Sequence, residues 1–402
     1  MTGANPKKGL QHVAHTAPAT LAGAVALHQS GQLVAAEAAY RAVLAAEPAQ
    51  GDAWNNLGLL LHATGKSDEA LTCLQQATRL QPENPRAWGN LGVVLKKLGQ
   101  LDAAADAQRQ ALRIAPDFAA AHNNLGNLLH AAGDIAAAKP HFAAACRLEP
   151  GGFEHQFMLG KCLLEERDFE GALAALHKAH RIAPDNADCL GTIARVWLDQ
   201  LRLPEALAAY DEGMACRPDY DPLRYNRGLA RLVNGDLLGG FADYESRWQV
   251  PDFPSKRLVT EKPDWDGQAM PQGTLLLHAE QGLGDTLQML RYLPQVAAQF
   301  AKVWLLIQAP LRGLVQLPAN VSLLADGQKF PPYDVVCPLL SLPHRFATDI
   351  LAIPTPTPYL DIDPERQAHW RQRLANSAPA GTRKIGLTWA GNPSHRNDAN
   401  RS

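Results

Sequence analysis

This sequence has almost no excess charge, few aromatic residues and no long hydrophobic run. Lys plus Arg number 38 and Asp plus Glu 40, a formal net charge of −2. A chain so balanced has no cationic field for polyanions, so nucleic-acid binding is not expected. No stretch of 18 apolar residues occurs, and no membrane span is expected. The N-terminal MTGANPKKGLQHVAHTAPA carries two lysines without a continuous apolar run behind them, and does not read as a secretory signal. The six cysteines (Cys73, Cys146, Cys162, Cys189, Cys216, Cys337) are dispersed. None forms a CxxC or stands near a histidine at zinc spacing, so buried thiols, no metal site and a reducing, cytoplasmic setting are expected.

What the chain does have is length and order. Its 402 residues, 46% hydrophobic, suffice for two or three domains. Prolines stand at 48, 82, 116, 150, 184 and 218, always 34 apart. Aligned on them, the second unit gives Trp54, Leu57, Gly58, Leu61, Ala70, Leu74, Ala77 and Pro82. The third gives Trp88, Leu91, Gly92, Leu95, Ala104, Ala111 and Pro116; the fourth and fifth repeat the pattern through Gly126, Ala138, Gly160 and Ala172. Each unit carries two apolar stripes at helical spacing. Its small residues let two helices approach closely. Gly65, Gly99 and Gly133 fall where a helix would end in a left-handed residue.

These positions resemble the tetratricopeptide repeat family. The resemblance covers residues 17–248 in about seven units, with degenerate first and last units, as caps facing water require. It implies an α-solenoid whose first helices line a concave groove for a peptide or protein segment. Asn56, Asn90, Asn124 and Asn226 share one repeat position, just before the core leucine. An amide supplies both a donor and an acceptor. The four form either a ladder for a peptide backbone or an ordinary solvated stripe. Met158 and Thr192 interrupt the series. Some family members grip a terminal carboxylate with basic groove residues. The comparable positions here are Leu59, Val93 and Asn127, with Lys97 basic one turn later, which argues against such a clamp.

Residues 249–272 are rich in Pro, Asp and Gly and read as a connector. Short apolar runs then alternate with helical stretches, which predicts a parallel sheet with helices on its faces. In HAEQGLGDTLQML, residues 278–290, the first strand turns into a helix. Gly282 and Gly284 permit backbone conformations closed to other residues, and the amides of the following helix could face an anion. Asp285 fits an N-cap.

The strings LLHAEQGLGDTLQMLRYLPQV and KIGLTWAGNPSHRNDANRS resemble the glycosyltransferase-like region of bacterial repeat proteins, and more distantly two-lobe (GT-B) heptosyltransferases. The resemblance, carried by Gly284, Asp285 and Pro294, implies Asp285 as the base on an acceptor hydroxyl. It adds Gln281, Gly282 and Gly284 as substrate-binding residues, and His395, Arg396 and Arg401 as phosphate contacts. It implies a Rossmann-like first lobe with a linker helix at 273–376 and a second lobe begun, but not finished, at 377–402. A nucleotide-sugar would bind only with that lobe complete, so this chain by itself is expected to be inactive. No bound cofactor is implied. The competing expectation is a non-catalytic interaction scaffold. Residues 1–16 are expected to be disordered.

Overall fold

The computed structural model describes residues 20–251, 253–325, 327–354, 359–360 and 363–377. Residues 1–16, the strand expected near 384–392, and His395, Arg396 and Arg401 lie outside the described residues. The chain divides into two compact units, Met1–Ala230 and Arg231–Ser402.

The first unit is built of helix pairs. They are α1 (Leu21–Gln29) with α2 (Leu33–Ala46), α3 (Gly51–Ala63) with α4 (Ser67–Leu80), and α5 (Pro85–Lys97) with α6 (Leu101–Ile114). There follow α7 (Ala119–Ala131) with α8 (Ile135–Leu148), α9 (Phe153–Glu165) with α10 (Phe169–Ile182), and α11 (Ala187–Asp199) with α12 (Leu203–Cys216). The unit closes within α13 (Asp221–Val233), and α14 (Leu237–Tyr244) belongs to the second unit. From α3 to α13 each first helix starts 34 residues after the one before, as the prolines require.

The small residues do what their spacing implies. A Cβ on Gly58 would lie 2.7 Å from Leu74 Cγ, one on Gly126 2.8 Å from Phe142 Cε1, and one on Gly160 2.6 Å from Leu176 Cγ. Ala70, Ala104, Ala138, Ala172 and Ala206 are wholly buried. Leu57, Leu61 and Leu74 fill the same seam, each side chain contributing about 1.5–3 kcal/mol by burial. The seam has one polar member. Gln108, in register with Leu74 and Phe142, is fully buried and donates from Nε2 to Gly89 O at 2.9 Å. Its Oε1 is buried without a partner.

A second recurrent bond joins successive pairs. Trp54 Nε1 donates to Pro48 O at 2.9 Å and Trp88 Nε1 to Pro82 O at 2.8 Å. His122 Nε2 reaches Pro116 O at 3.0 Å, and Arg224 Nη2 donates to Pro218 O at 2.6 Å. One repeat position therefore ties down the carbonyl of the separating proline with three different side chains. The interhelix glycines Gly65, Gly99 and Gly133 have φ of 82°, 76° and 83°. At the same position the fifth and sixth pairs carry Arg167 and Leu201, at φ 62° and 59°, a left-handed backbone that costs a residue with a Cβ about 1–2 kcal/mol.

The second unit holds a four-stranded parallel sheet. Strands β1 (Met270–His278), β2 (Phe300–Leu306), β3 (Val321–Leu323) and β4 (Val335–Pro338) run in the order β3-β2-β1-β4. Central β1 pairs β2 through Leu275↔Val303 and β4 through Leu275↔Val335. Leu275, Leu276 and Leu277 are all fully buried, as a strand covered on both faces should be. The helix after β1, which Pro294 is expected to kink or stop, is broken there. Helix α15 (Leu283–Met289) passes into a 3₁₀ turn (Leu290–Tyr292), and α16 (Leu293–Ala297) begins with Pro294 in its first turn. A proline there lacks the N–H that would continue the preceding helix.

The stretch expected to be a connector has ordered pairing. Val336 N–H donates to Pro263 O at 3.0 Å and Trp265 N–H to Val336 O at 2.8 Å. Residues 263–265 thus cover part of the outer edge of β4, which would otherwise expose unpaired backbone groups. Trp265 is buried against Phe300 and Phe346. Among the described residues the sheet is followed by a 3₁₀ turn (Leu339–Ser341), by α17 (Leu342–Arg345), and by α18 (Pro364–Ser377), which has no buried residue.

Candidate functional site

The inner wall of the array is formed by the first helices of successive pairs. Asn56, Asn90 and Asn124 are half-buried on α3, α5 and α7, and Asn226 is exposed on α13. The structure brings Asn56 and Asn90 together through a residue the sequence reading passed over. Asn55 Nδ2 donates to Asn56 Oδ1 at 3.2 Å, and Asn90 Nδ2 donates to Asn55 Oδ1 at 2.9 Å. Asn226 belongs to a different neighbourhood. It helps line a cavity of about 430 Å³ in the later part of the wall, with Phe157, Lys161 and Leu164 of α9, Arg195 of α11, and Tyr220 and Leu223 at the start of α13.

Lys161 and Arg195 lie in the register of Leu59, Val93 and Asn127, 34 and 68 residues beyond Asn127. The expectation that this register lacks basic residues holds for its first three members and fails for the next two. The signal was present in the sequence as a continuation of the same count. Lys161 Nζ sits 5.8 Å from the Phe157 ring centroid. Arg195 Nε donates to Asp199 Oδ1 at 2.8 Å. Glu165 accepts from His130 at 2.9 Å, and Asp188 accepts from the Tyr220 hydroxyl.

The second candidate lies at the C-terminal end of β1, where ligands bind in open α/β sheets. The conformational freedom that these glycines permit is not used here. Gly282 has φ −66° and Gly284 is not left-handed, so neither adopts a conformation reserved for glycine. A Cβ on Gly284 would meet nothing within 4 Å. Asp285 is also one turn further on than an N-cap. Gly282 is the cap, and Asp285, third in the helix, accepts from Gly282 N–H at 3.1 Å. That carboxylate itself stands where the helix amides would meet an anion. Gln281 Nε2 donates to Tyr244 Oη at 2.6 Å, while its carbonyl accepts from Gln308 Nε2 at 2.7 Å.

Beside this turn lies a buried ion cluster that the sequence did not reveal. Arg247 is fully buried and donates to Glu280 Oε1 from Nε at 3.1 Å and Nη2 at 2.8 Å. It also reaches Glu245 Oε1 at 2.7 Å, Ser341 Oγ at 2.8 Å and Tyr244 O at 3.2 Å. Arg345 Nη2 donates to Glu245 Oε2 at 3.1 Å. The Glu280 side chain is fully buried, and among the described residues its Oε2 has no hydrogen-bond partner. Burial pushes the Glu280 carboxyl up to about 7 against the opposing pull of Arg247. Burial works against Arg247 too, but Glu280 and Glu245 outweigh it and its pKa ends raised. The cation is therefore permanent and the carboxyl is the group that titrates. Among the described residues there is no His/Cys/Asp/Glu cluster suited to a metal ion, and no helix long and apolar enough to cross a membrane.

Comparison with known proteins agrees with the repeat geometry. Residues 7–196 match the family described as the cilia and flagella-associated protein 70 C-terminal domain. Residues 163–232 match a family described as tetratricopeptide repeat. Over the described residues both matches fall on the helical array. The protein FlbA of Caulobacter vibrioides is 24% identical over 240 residues, covering 46% of this chain. The match takes in 40% of FlbA's own length. Among solved structures, YrrB, titled a TPR protein with an unusual peptide-binding site, is 20% identical with a TM-score of 0.42, over 49% of this chain and 97% of its own. PilF of Pseudomonas aeruginosa is 20% identical with a TM-score of 0.45, over 50% of this chain and 92% of its own. The chain carries a solenoid of paired helices at a 34-residue period, of which residues 163–232 match the tetratricopeptide repeat, followed in sequence by a small parallel α/β region.

Proposed function

From that solenoid and its amide-rich inner wall, we propose that this protein is a peptide-binding scaffold that takes an extended segment of a partner along the groove. The observation that carries the reading is the amide group of Asn55, Asn56 and Asn90, with Asn124 one pair further on. Extended backbone presents donors and acceptors in alternation, and primary amides complement both. Panning a random peptide library on the purified chain, then measuring the selected peptide against Asn90→Ala/Asn124→Ala, tests it. The double variant should weaken binding at least tenfold. Unchanged affinity would reduce the asparagines to surface.

A second reading concerns the α/β unit, as the acceptor side of a sugar transferase with Asp285 as base. Its support is the placement of the Gly282–Asp285 turn at the C-terminal end of the central strand. Against it, Asp285 already accepts from Gly282 N–H. Interaction is therefore the better-supported function. Calorimetric titration with nucleotide-sugars tests the expectation that the donor side is incomplete in this chain, and heats of binding would revive the enzyme.

A further inference from the structure

One joint of the array is built differently from its neighbours. Trp54 and Trp88 donate to the carbonyls of Pro48 and Pro82, and His122 reaches that of Pro116. In the fifth pair this position carries Gln156, which makes no such bond to Pro150. Beside it, α8, α9 and α10 enclose a cavity of about 570 Å³. Gln156 lines the cavity and is 4% exposed, and its side-chain amide has no hydrogen-bond partner among the described residues. A buried amide without a partner is costly, so it marks a place that a ligand group can fill. Leu159 and Ile182 give the cavity an apolar floor, and Arg147, Lys178 and Arg181 stand exposed at its edge. None of these cations forms an ion pair or a side-chain hydrogen bond among the described residues, and no carboxylate lines the cavity. The Cys146 thiol reports the local field: burial pushes it up to about 11, Lys178 and Arg147 pull it back, and no carboxylate acts on it. Arg147 and Arg181 share a register with Arg79 and Arg113, near helix C-termini where a cation is favourable in itself. Lys178 is the addition, because its register holds Gln76, Gln110 and Ala144 in the pairs before it.

From this joint we propose that the cavity between α8, α9 and α10 binds a small phosphate ester. Arg147, Lys178 and Arg181 hold the phosphate, Gln156 hydrogen-bonds the organic part, and Leu159 and Ile182 cover its apolar face. A phosphomonoester carries a charge of about −1.5 to −2 at neutral pH and three acceptor oxygens, which match three unspent cations better than a single carboxylate does. The ligand is a small molecule rather than a chain, because the cavity does not continue along the array. His122 closes the preceding joint through its bonds to Pro116 and His141. Leu190, in the register of Gln156 one pair on, is 2% exposed. A volume of about 570 Å³ lies within the range of small-molecule sites. The cations all come from second helices, so the site is independent of the peptide groove on the first helices.

Calorimetric titration of the full chain with naphthyl phosphate, naphthoate and inorganic phosphate tests the site. At low salt naphthyl phosphate should bind at least tenfold more tightly than either of the others. Lys178→Ala/Arg181→Ala, which alters exposed side chains only, should remove at least tenfold of that affinity. Gln156→Trp restores the residue of the second and third pairs, and should abolish binding without lowering the melting temperature. Asn90→Ala/Asn124→Ala should leave binding unchanged, which separates this site from the peptide groove. No binding of naphthyl phosphate, equal binding of the phosphate and the carboxylate, or indifference to either the lysine–arginine pair or Gln156→Trp overturns the proposal. If Gln156→Trp does not fold, the exposed pair decides. Tight binding of a phosphoserine peptide by a chain that takes up no naphthyl phosphate also overturns it.

Discussion

Replacing Arg247 by alanine should unfold the α/β unit far more readily than a surface change would. The guanidinium makes hydrogen bonds to Glu280, Glu245, Ser341 and the Tyr244 carbonyl, and its side chain and that of Glu280 are both wholly buried. At pH 8, above the Glu280 value, removing the cation strands the buried carboxylate, at a cost of about 3–5 kcal/mol. For a unit of this size that corresponds to roughly 6–20 °C in melting temperature. Hydrogen exchange at Leu275–His278 reads the loss locally, so the array does not mask it. The control is Arg247→Met/Glu280→Leu. With both charges gone and the volume kept, stability should return to within about 1–2 kcal/mol of the parent. Glu245 keeps Arg345 and Ser341 as partners in that variant. The titration has a definite sign. Glu280 is raised from an ordinary value of 4.5 to about 7, so between those values the unfolded chain has released a proton that the folded chain retains. Stability of this unit therefore falls as pH rises through that window, and Glu280→Gln should flatten the slope. An Arg247→Ala loss below about 1 kcal/mol, or a double variant no better than the single, would refute the idea of a stranded charge.

Leu201→Gly should raise array stability by up to about 1 kcal/mol, because it relieves a left-handed leucine that is 77% exposed and packs on little; a thermal melt that drops would contradict this. Gln108→Leu should be neutral or stabilising by about 1 kcal/mol in denaturant titration, since it replaces a buried amide that has one orphaned atom with the leucine its register position carries elsewhere. Gly126→Val should cost about 1–3 kcal/mol, as its Cβ would already meet the Phe142 ring at 2.8 Å; retention of full stability would mean the helices can part freely. His141 is held below its ordinary 6.5, first by burial and then by His122 and Arg109. The unfolded chain thus protonates first, and array stability should fall as pH drops below that value. His141→Gln should lessen the fall, and a melt independent of pH between 7 and 5.5 would contradict it.

The repeat fold was legible because one period fixed everything. Proline, turn glycine, seam glycine and seam alanine each recur at 34, and the helices start on that count. The sheet was legible from its apolar runs, since Leu275–Leu277 could be buried together only in a covered parallel strand. The sites were less so. Asn55 stands one position off the register of the four asparagines, so the repeat count gives it no weight, yet it links Asn56 to Asn90. Lys161 and Arg195 needed only the repeat count carried two units further. Gly282 and Gly284 permit dihedrals closed to other residues, and the turn forms without using them. The Arg247 cluster could not be read at all. Its members at 245, 247, 280, 341 and 345 are brought together only by tertiary structure.

The central claim is that the inner wall of the solenoid holds a peptide. Hydrogen exchange of the full chain, with and without a library-selected peptide, tests it most directly. Protection should rise on the first helices α5, α7, α9 and α11 and stay unchanged on the second helices α6, α8 and α10. Protection confined to the second helices, or to the α/β unit, would contradict it.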